Sequence, residues 1–150
     1  MILSGQSILR YELVSPFHER TRHNGMTFGV GPAGYDVRVA ETLSIKPGGF
    51  TLASTVERFT MHKGILGIVH DKSTWARLGL AAQNTVVEPG WCGYLTLELT
   101  NHSDKTIEIA GGTPIVQIIF HVLDEESDRP YEGKYQDQAQ GAQAARFERN

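Results

Sequence analysis

Apolar and polar positions alternate strictly through Tyr94-Leu95-Thr96-Leu97-Glu98-Leu99, which puts three leucines on one face of a strand and Tyr94, Thr96 and Glu98 on the other. Similar short β-rich runs occupy 35–39, 50–56, 65–69, 106–109 and 115–122. Turn sequences separate them: Lys46-Pro47-Gly48-Gly49, Glu88-Pro89-Gly90, Asn101-His102-Ser103-Asp104 and Gly111-Gly112. Short strands with regular turns predict an all-β sandwich or barrel. Two helical pieces break the pattern. Ser4 is placed to cap a short helix running to Glu12, with Ile8 and Leu9 inward, and a second helix is predicted over 73–80, with Trp75 and Leu78 three apart. After Tyr135 the chain is rich in Gln and Ala and poor in large apolar groups, so this tail has no core of its own.

A chain of 150 residues holds one domain with one sizeable core. No internal repeat or second domain is visible, so residues 1–150 are read as a single unit with 130–150 as a mobile tail. A net charge of −3 argues against a nucleic-acid binder, although a polyanion is still admitted if cations are focused in one cleft. No apolar stretch approaches the roughly 20 residues of a membrane helix. The start, Met1-Ile2-Leu3-Ser4-Gly5-Gln6, has no basic region followed by an apolar run, so no signal peptide is expected. Cys92 is the one cysteine, which fits a reducing, cytoplasmic setting.

Several chemistries lack their residues. Zinc deaminases need a His or Cys beside a catalytic glutamate, followed by a Pro-Cys-x-x-Cys pair, and one cysteine cannot supply that pair. The six histidines show no i, i+4 pair suited to a metal. Phosphate-loop and nucleophile-elbow motifs are missing, and Pro32 makes Gly29-Val30-Gly31-Pro32-Ala33-Gly34 a loop rather than a dinucleotide fingerprint.

Five segments, in order, carry a resemblance. Ala33-Gly34-Tyr35-Asp36-Val37-Arg38 looks like the first motif of the trimeric dUTPases and their relatives. Asp71-Lys72-Ser73-Thr74-Trp75-Ala76-Arg77-Leu78-Gly79-Leu80 resembles the Gly-Arg-Ser-Ser-Leu-Ala-Arg-Leu-Gly-Leu stretch of dCTP deaminases. Glu88-Pro89-Gly90-Trp91-Cys92-Gly93-Tyr94-Leu95-Thr96-Leu97-Glu98 resembles that family's Asp-Pro-Gly-Trp-x-Gly run to a catalytic glutamate. Gly112-Thr113-Pro114-Ile115-Val116-Gln117-Ile118 resembles a late core strand, and Pro130-Tyr131-Glu132-Gly133-Lys134-Tyr135-Gln136-Asp137-Gln138 a tail that folds over the nucleotide.

The resemblance is to the dCTP deaminase and dUTPase superfamily. It implies a distorted β-barrel or jelly-roll-like fold, a homotrimer with sites between subunits, and zinc-independent deamination of a deoxycytidine nucleotide, with Mg²⁺ bound through its phosphates. Glu98 becomes the proton shuttle, with Arg77 and Ser73 beside it; the plain alternative for Glu98 is a solvated carboxylate on an outer face. Lys72, Ser73 and Thr74 would meet phosphates, although helix capping explains the two hydroxyls equally well. Glu88, Trp91 and the backbone around Thr96 would line the base and sugar region, and Tyr131, Lys134 and Gln138 would close over the sugar and triphosphate.

The pattern is broken in places. Lys72 stands for the family's arginine and cannot make a bidentate phosphate fork, and Glu88 stands for an aspartate. From Ser73 to Glu88 the chain is about two residues shorter than dCTP deaminases and matches dUTPase spacing, the shortening falling just after Thr85. Alternatives to dCTP deamination are therefore a dCMP or C5-modified cytosine substrate, a bifunctional deaminase–diphosphatase, a plain dUTPase, or a non-catalytic nucleotide-binding regulator.

Overall fold

A computed structural model describes residues 1–148. The chain forms α1 (Gly5–Tyr11), β1 (Val14–Ser15), β2 (Thr21–His23), β3 (Met26–Gly31), β4 (Gly34–Arg38), β5 (Leu43–Ile45), β6 (Phe50–Thr60), β7 (Ile65–Asp71), α2 (Ser73–Ala76), β8 (Leu80–Ala82), β9 (Val86–Val87), β10 (Cys92–Asn101), β11 (Ile107–Ile109) and β12 (Pro114–Val122). Antiparallel pairing gives a four-stranded sheet in the order β1-β6-β10-β8, a six-stranded sheet in the order β2-β3-β4-β12-β7-β9, and the pair β11-β5. The sheets curl round one apolar cluster. Leu95, Leu97 and Leu99 enter it from β10, Ala53 and Phe59 from β6, and Tyr35, Val37, Val69, Ile118 and Phe120 from the six-stranded sheet. This is the jelly-roll-like all-β architecture expected.

All six expected strands are present, and most run longer than their patterns indicated. The others are short pieces or, like β3, lie in the glycine run read as a loop: β3 ends at Gly31, Pro32-Ala33 turns, and β4 begins at Gly34. In α1, Ser4 is the N-cap and Ile8 is fully buried. Leu9, expected inward, is exposed, because two turns of helix present one narrow face to the core. The second helix stops at Ala76 instead of reaching Leu80. Gly79 adopts φ +89°, where a Cβ would meet the Ser103 backbone nitrogen at 2.9 Å, and Leu80 opens β8. Trp75 is therefore buried while Leu78, expected on the same face, points to solvent.

One irregularity shapes the ground beside the site. Between Tyr94 and Thr96 the β10–β6 register jumps from Arg58 to Ser54, so three residues of β6 oppose Leu95 alone. The Thr55 hydroxyl fills the gap, accepting from the Leu95 N–H at 3.0 Å and donating to the Glu57 carbonyl at 2.7 Å. The bulge turns Glu57 inward to full burial. There it meets Arg38 of β4, whose Nε donates at 2.7 Å and whose main-chain N–H donates at 2.9 Å.

Candidate active site

The face of β10 opposite the leucines was expected to be solvated on pattern alone, and it is covered. From Pro130 onward the chain runs back across β10. The Tyr94 N–H donates to the Gln138 carbonyl at 3.0 Å, and the Gln138 amide donates to the Tyr94 carbonyl at 2.8 Å and the Thr96 hydroxyl at 2.9 Å. The Gln143 N–H reaches the same hydroxyl at 3.2 Å, and the Gly141 N–H reaches Ser54 Oγ at 3.1 Å. Gly93 permits this approach: at φ +143°, a Cβ there would sit 2.8 Å from the Gln138 nitrogen. The Trp91 indole N–H donates to the Tyr135 carbonyl at 2.7 Å. Thr96 and Gln138 are both buried as a result.

Between strand face and tail lies a cavity of about 640 Å³, within the size range of small-ligand sites. Phe50 and Leu52 of β6, Val86 and Val87 of β9, and Leu95 form its apolar side. Thr96 and Glu98 line it from β10, Glu88 and Trp91 from the preceding turn, and Tyr131, Lys134, Tyr135, Gln138 and Gln143 from the tail. Seven of the expected site residues are thus brought together: Glu88, Trp91, Thr96, Glu98, Tyr131, Lys134 and Gln138. Gln138 enters as an anchor, since both hydrogens of its amide nitrogen are taken by β10.

Glu98 is half-buried, and no lysine or arginine pairs with it among the described residues. Burial without a cation pushes its carboxyl above the ordinary glutamate range, which a backbone hydrogen bond offsets only in part. Opposite it on β6 stands Leu52, and Thr100 faces Phe50. These apolar neighbours could have been found from sequence only by knowing the β10–β6 register.

Lys72, Ser73, Thr74 and Arg77 do not line this cavity. They sit on and around α2, which the Trp75 indole ties to the Pro114 carbonyl at 2.7 Å. Ser73, Thr74 and Arg77 are exposed. Lys72 is mostly covered, and its Nζ pairs with Asp36 of β4 at 2.5 Å. Among the described residues no three His, Cys, Asp or Glu side chains converge to hold a metal ion, and no helix is long and apolar enough to cross a membrane.

The sequence profile described as dCTP deaminase-like matches residues 4–123. The chain belongs to that family. A dCTP deaminase of Thermococcus sibiricus is 35% identical over 91% of this chain and 92% of its own. Solved dUTPases share the fold at lower identity. The EIAV dUTPase superposes with a TM-score of 0.60 at 19% identity, covering 81% of this chain and 97% of the other. A dUTPase from phage phi11 of S. aureus, described for its coordination of a structural Mg(II) ion, gives 0.59 at 16% identity, covering 79% and 92%. The protein is an enzyme of the dCTP deaminase family. In this family member the expected deaminase residues fall into two groups: those of β10 and the tail share one cavity, and those of α2 lie on a separate surface.

Proposed function

We propose that this enzyme deaminates a deoxycytidine nucleotide without zinc, converting dCTP and water into dUTP and ammonia. Glu98 carries the reading: a carboxyl with no lysine or arginine partner among the described residues, held mid-strand in a largely apolar cavity, with its pKa raised. Such a group takes a proton at moderate pH and gives it back, which is what hydrolysis at C4 needs. Glu98 removes a proton from water as the oxygen bonds to C4, and N3 gains a proton. Glu98 then takes the proton of the new C4 hydroxyl and passes it to the exocyclic nitrogen; the C4–N bond breaks, ammonia leaves, and the uracil carbonyl forms.

Arg77 and Ser73 complete the site from a neighbouring copy in a homotrimer. Their exposure on α2 supports this, as do the exposed apolar side chains of Phe50 and Val86 at the cavity and Leu78 beside Arg77. Lys134 and the α2 hydroxyls bind phosphates, and the tail from 130 onward closes over the nucleotide. Magnesium held through the phosphates would neutralise part of their charge.

Chromatography of products after incubation with dCTP, dCMP or dUTP plus magnesium tests the reading. dUTP formed from dCTP supports it, and dUMP in the same reaction adds diphosphatase activity, which the dUTPase-like spacing from Ser73 to Glu88 favours. Cleavage of dUTP with both cytosine nucleotides untouched would overturn it. Light scattering is expected to give a trimer; an active monomer at micromolar concentration contradicts the shared site.

A further inference from the structure

The tail is tied back on itself at its far end. The Arg146 guanidinium donates to the Lys134 carbonyl at 2.9 Å and to Gln143 Oε1 at 3.0 Å, while its main-chain N–H donates to the Tyr135 hydroxyl at 2.9 Å. Two cations lie over the ring of Tyr135: Lys134 Nζ is 5.4 Å from its centre and the Arg146 guanidinium carbon 5.8 Å. Tyr135 is fixed in turn, its carbonyl by Trp91 and its N–H by the Tyr131 hydroxyl at 3.1 Å. The peptide that joins Lys134 to Tyr135 is thus held at both its polar atoms, the carbonyl by Arg146 and the N–H by Tyr131, and Trp91 holds the carbonyl that follows.

The clamp matters because the described lining of the cavity is short of positive charge. Among the described residues that line it, Lys134 is the one lysine or arginine, against Glu88, Glu98 and Glu148. Lys72 already has a carboxylate partner in Asp36. Where the Lys134 ammonium sits therefore decides much of how this cavity receives an anion. A lysine on a loose tail would lose backbone and side-chain freedom on every binding event, and a tail held in advance loses less.

We propose that Arg146 is a positioning residue for the substrate's phosphate chain, acting through Lys134. The proposal rests on the nucleotide reading above. Arg146 does not itself line the cavity and reaches it through the one lysine that does, so its effect grows with the number of phosphates. It acts through one lysine, so its effect disappears when that lysine is removed. A lysine at 146 keeps the charge but cannot serve the Lys134 carbonyl and Gln143 together with a planar fork, so it restores only part of the function.

Steady-state kinetics on the full chain test this, with dCTP and deoxycytidine as substrates and with Arg146→Ala, Arg146→Lys, Lys134→Ala and the Arg146→Ala/Lys134→Ala double variant. Arg146→Ala is expected to raise KM for dCTP about tenfold with kcat within about twofold, and to leave kcat/KM for deoxycytidine within about twofold. Arg146→Lys should fall between, and the double variant should match Lys134→Ala alone. Equal losses on dCTP and deoxycytidine, or additive effects of the two substitutions, would overturn the proposal. If the unsubstituted protein deaminates nothing, the functional reading has failed. Calorimetric binding of dUTP and dUMP then judges Arg146 separately: a loss confined to the triphosphate supports the assignment, and unchanged affinities overturn it.

Discussion

Two glutamates on neighbouring strands leave water under opposite terms. Glu57 of β6 is fully buried, and its carboxylate is met by the Arg38 side chain and by the Arg38 N–H. Glu98 of β10 is half-buried, lies against an apolar wall, and has no lysine or arginine paired with it among the described residues. Burial with a charged, hydrogen-bonding partner makes a carboxylate part of the framework. Burial without one leaves its proton affinity raised and its lone pairs free for a ligand. The lesson is that partnership, more than depth, separates a structural acid from one equipped to react.

The comparison can be broken most directly by replacing each acid with its amide. Glu98→Gln should lower kcat by about 10²- to 10⁴-fold with nucleotide affinity held within about tenfold, since only proton transfer is removed. Full turnover in that variant would return Glu98 to an ordinary polar position. Glu57→Gln should instead cost about 3 kcal/mol of stability by leaving Arg38 without its counter-charge, read as a lowered denaturant midpoint. An unchanged midpoint would show that the pair contributes little.

Smaller effects sharpen the contrast. Truncation after Arg129 uncovers the Glu98 face of β10. KM should rise, and the acid limb of the pH–rate profile should move to lower pH as the carboxyl returns toward its ordinary range; an unmoved limb would mean that the tail does not set the environment of Glu98. The smallest effect is on stability. Because the folded pKa of Glu98 lies above the unfolded one, the unfolded chain releases this proton first, and stability falls as pH rises through that window. Glu98→Gln should therefore gain slightly in Tm at neutral pH and lose that gain below the ordinary glutamate range. A gain that persists in acid would place its origin elsewhere.

How much of this was legible depends on whether the information is local. Leu95, Leu97 and Leu99 showed their face because alternation is a property of one strand. The all-exposed β2 and the two-residue β9 have no pattern of their own and exist through pairing with β3 and β7. The bulge at Thr55 was hidden too, since a buried run of Ser54, Thr55 and Glu57 makes sense only with Leu95 and Arg38 in view. In the site, motif resemblance named Glu98 and Lys134, which the cavity brings together, but also Arg77 and Ser73, which it does not. Linear order carries no statement about which surfaces meet. Gln143 and Arg146 escaped notice because a Gln- and Ala-rich tail looks the same whether docked or free.

The indole of Trp91 has an optical consequence. Its N–H is capped by the Tyr135 carbonyl and its ring is buried beside the cavity, so its emission should shift to longer wavelength whenever the tail lifts. Trp75, the other of the chain's two tryptophans, is locked to the Pro114 carbonyl, does not line the cavity, and supplies a steady background. The protein thus carries a built-in fluorescent gauge, and stopped-flow mixing with nucleotide would time the opening and closing of its own cover without an added dye.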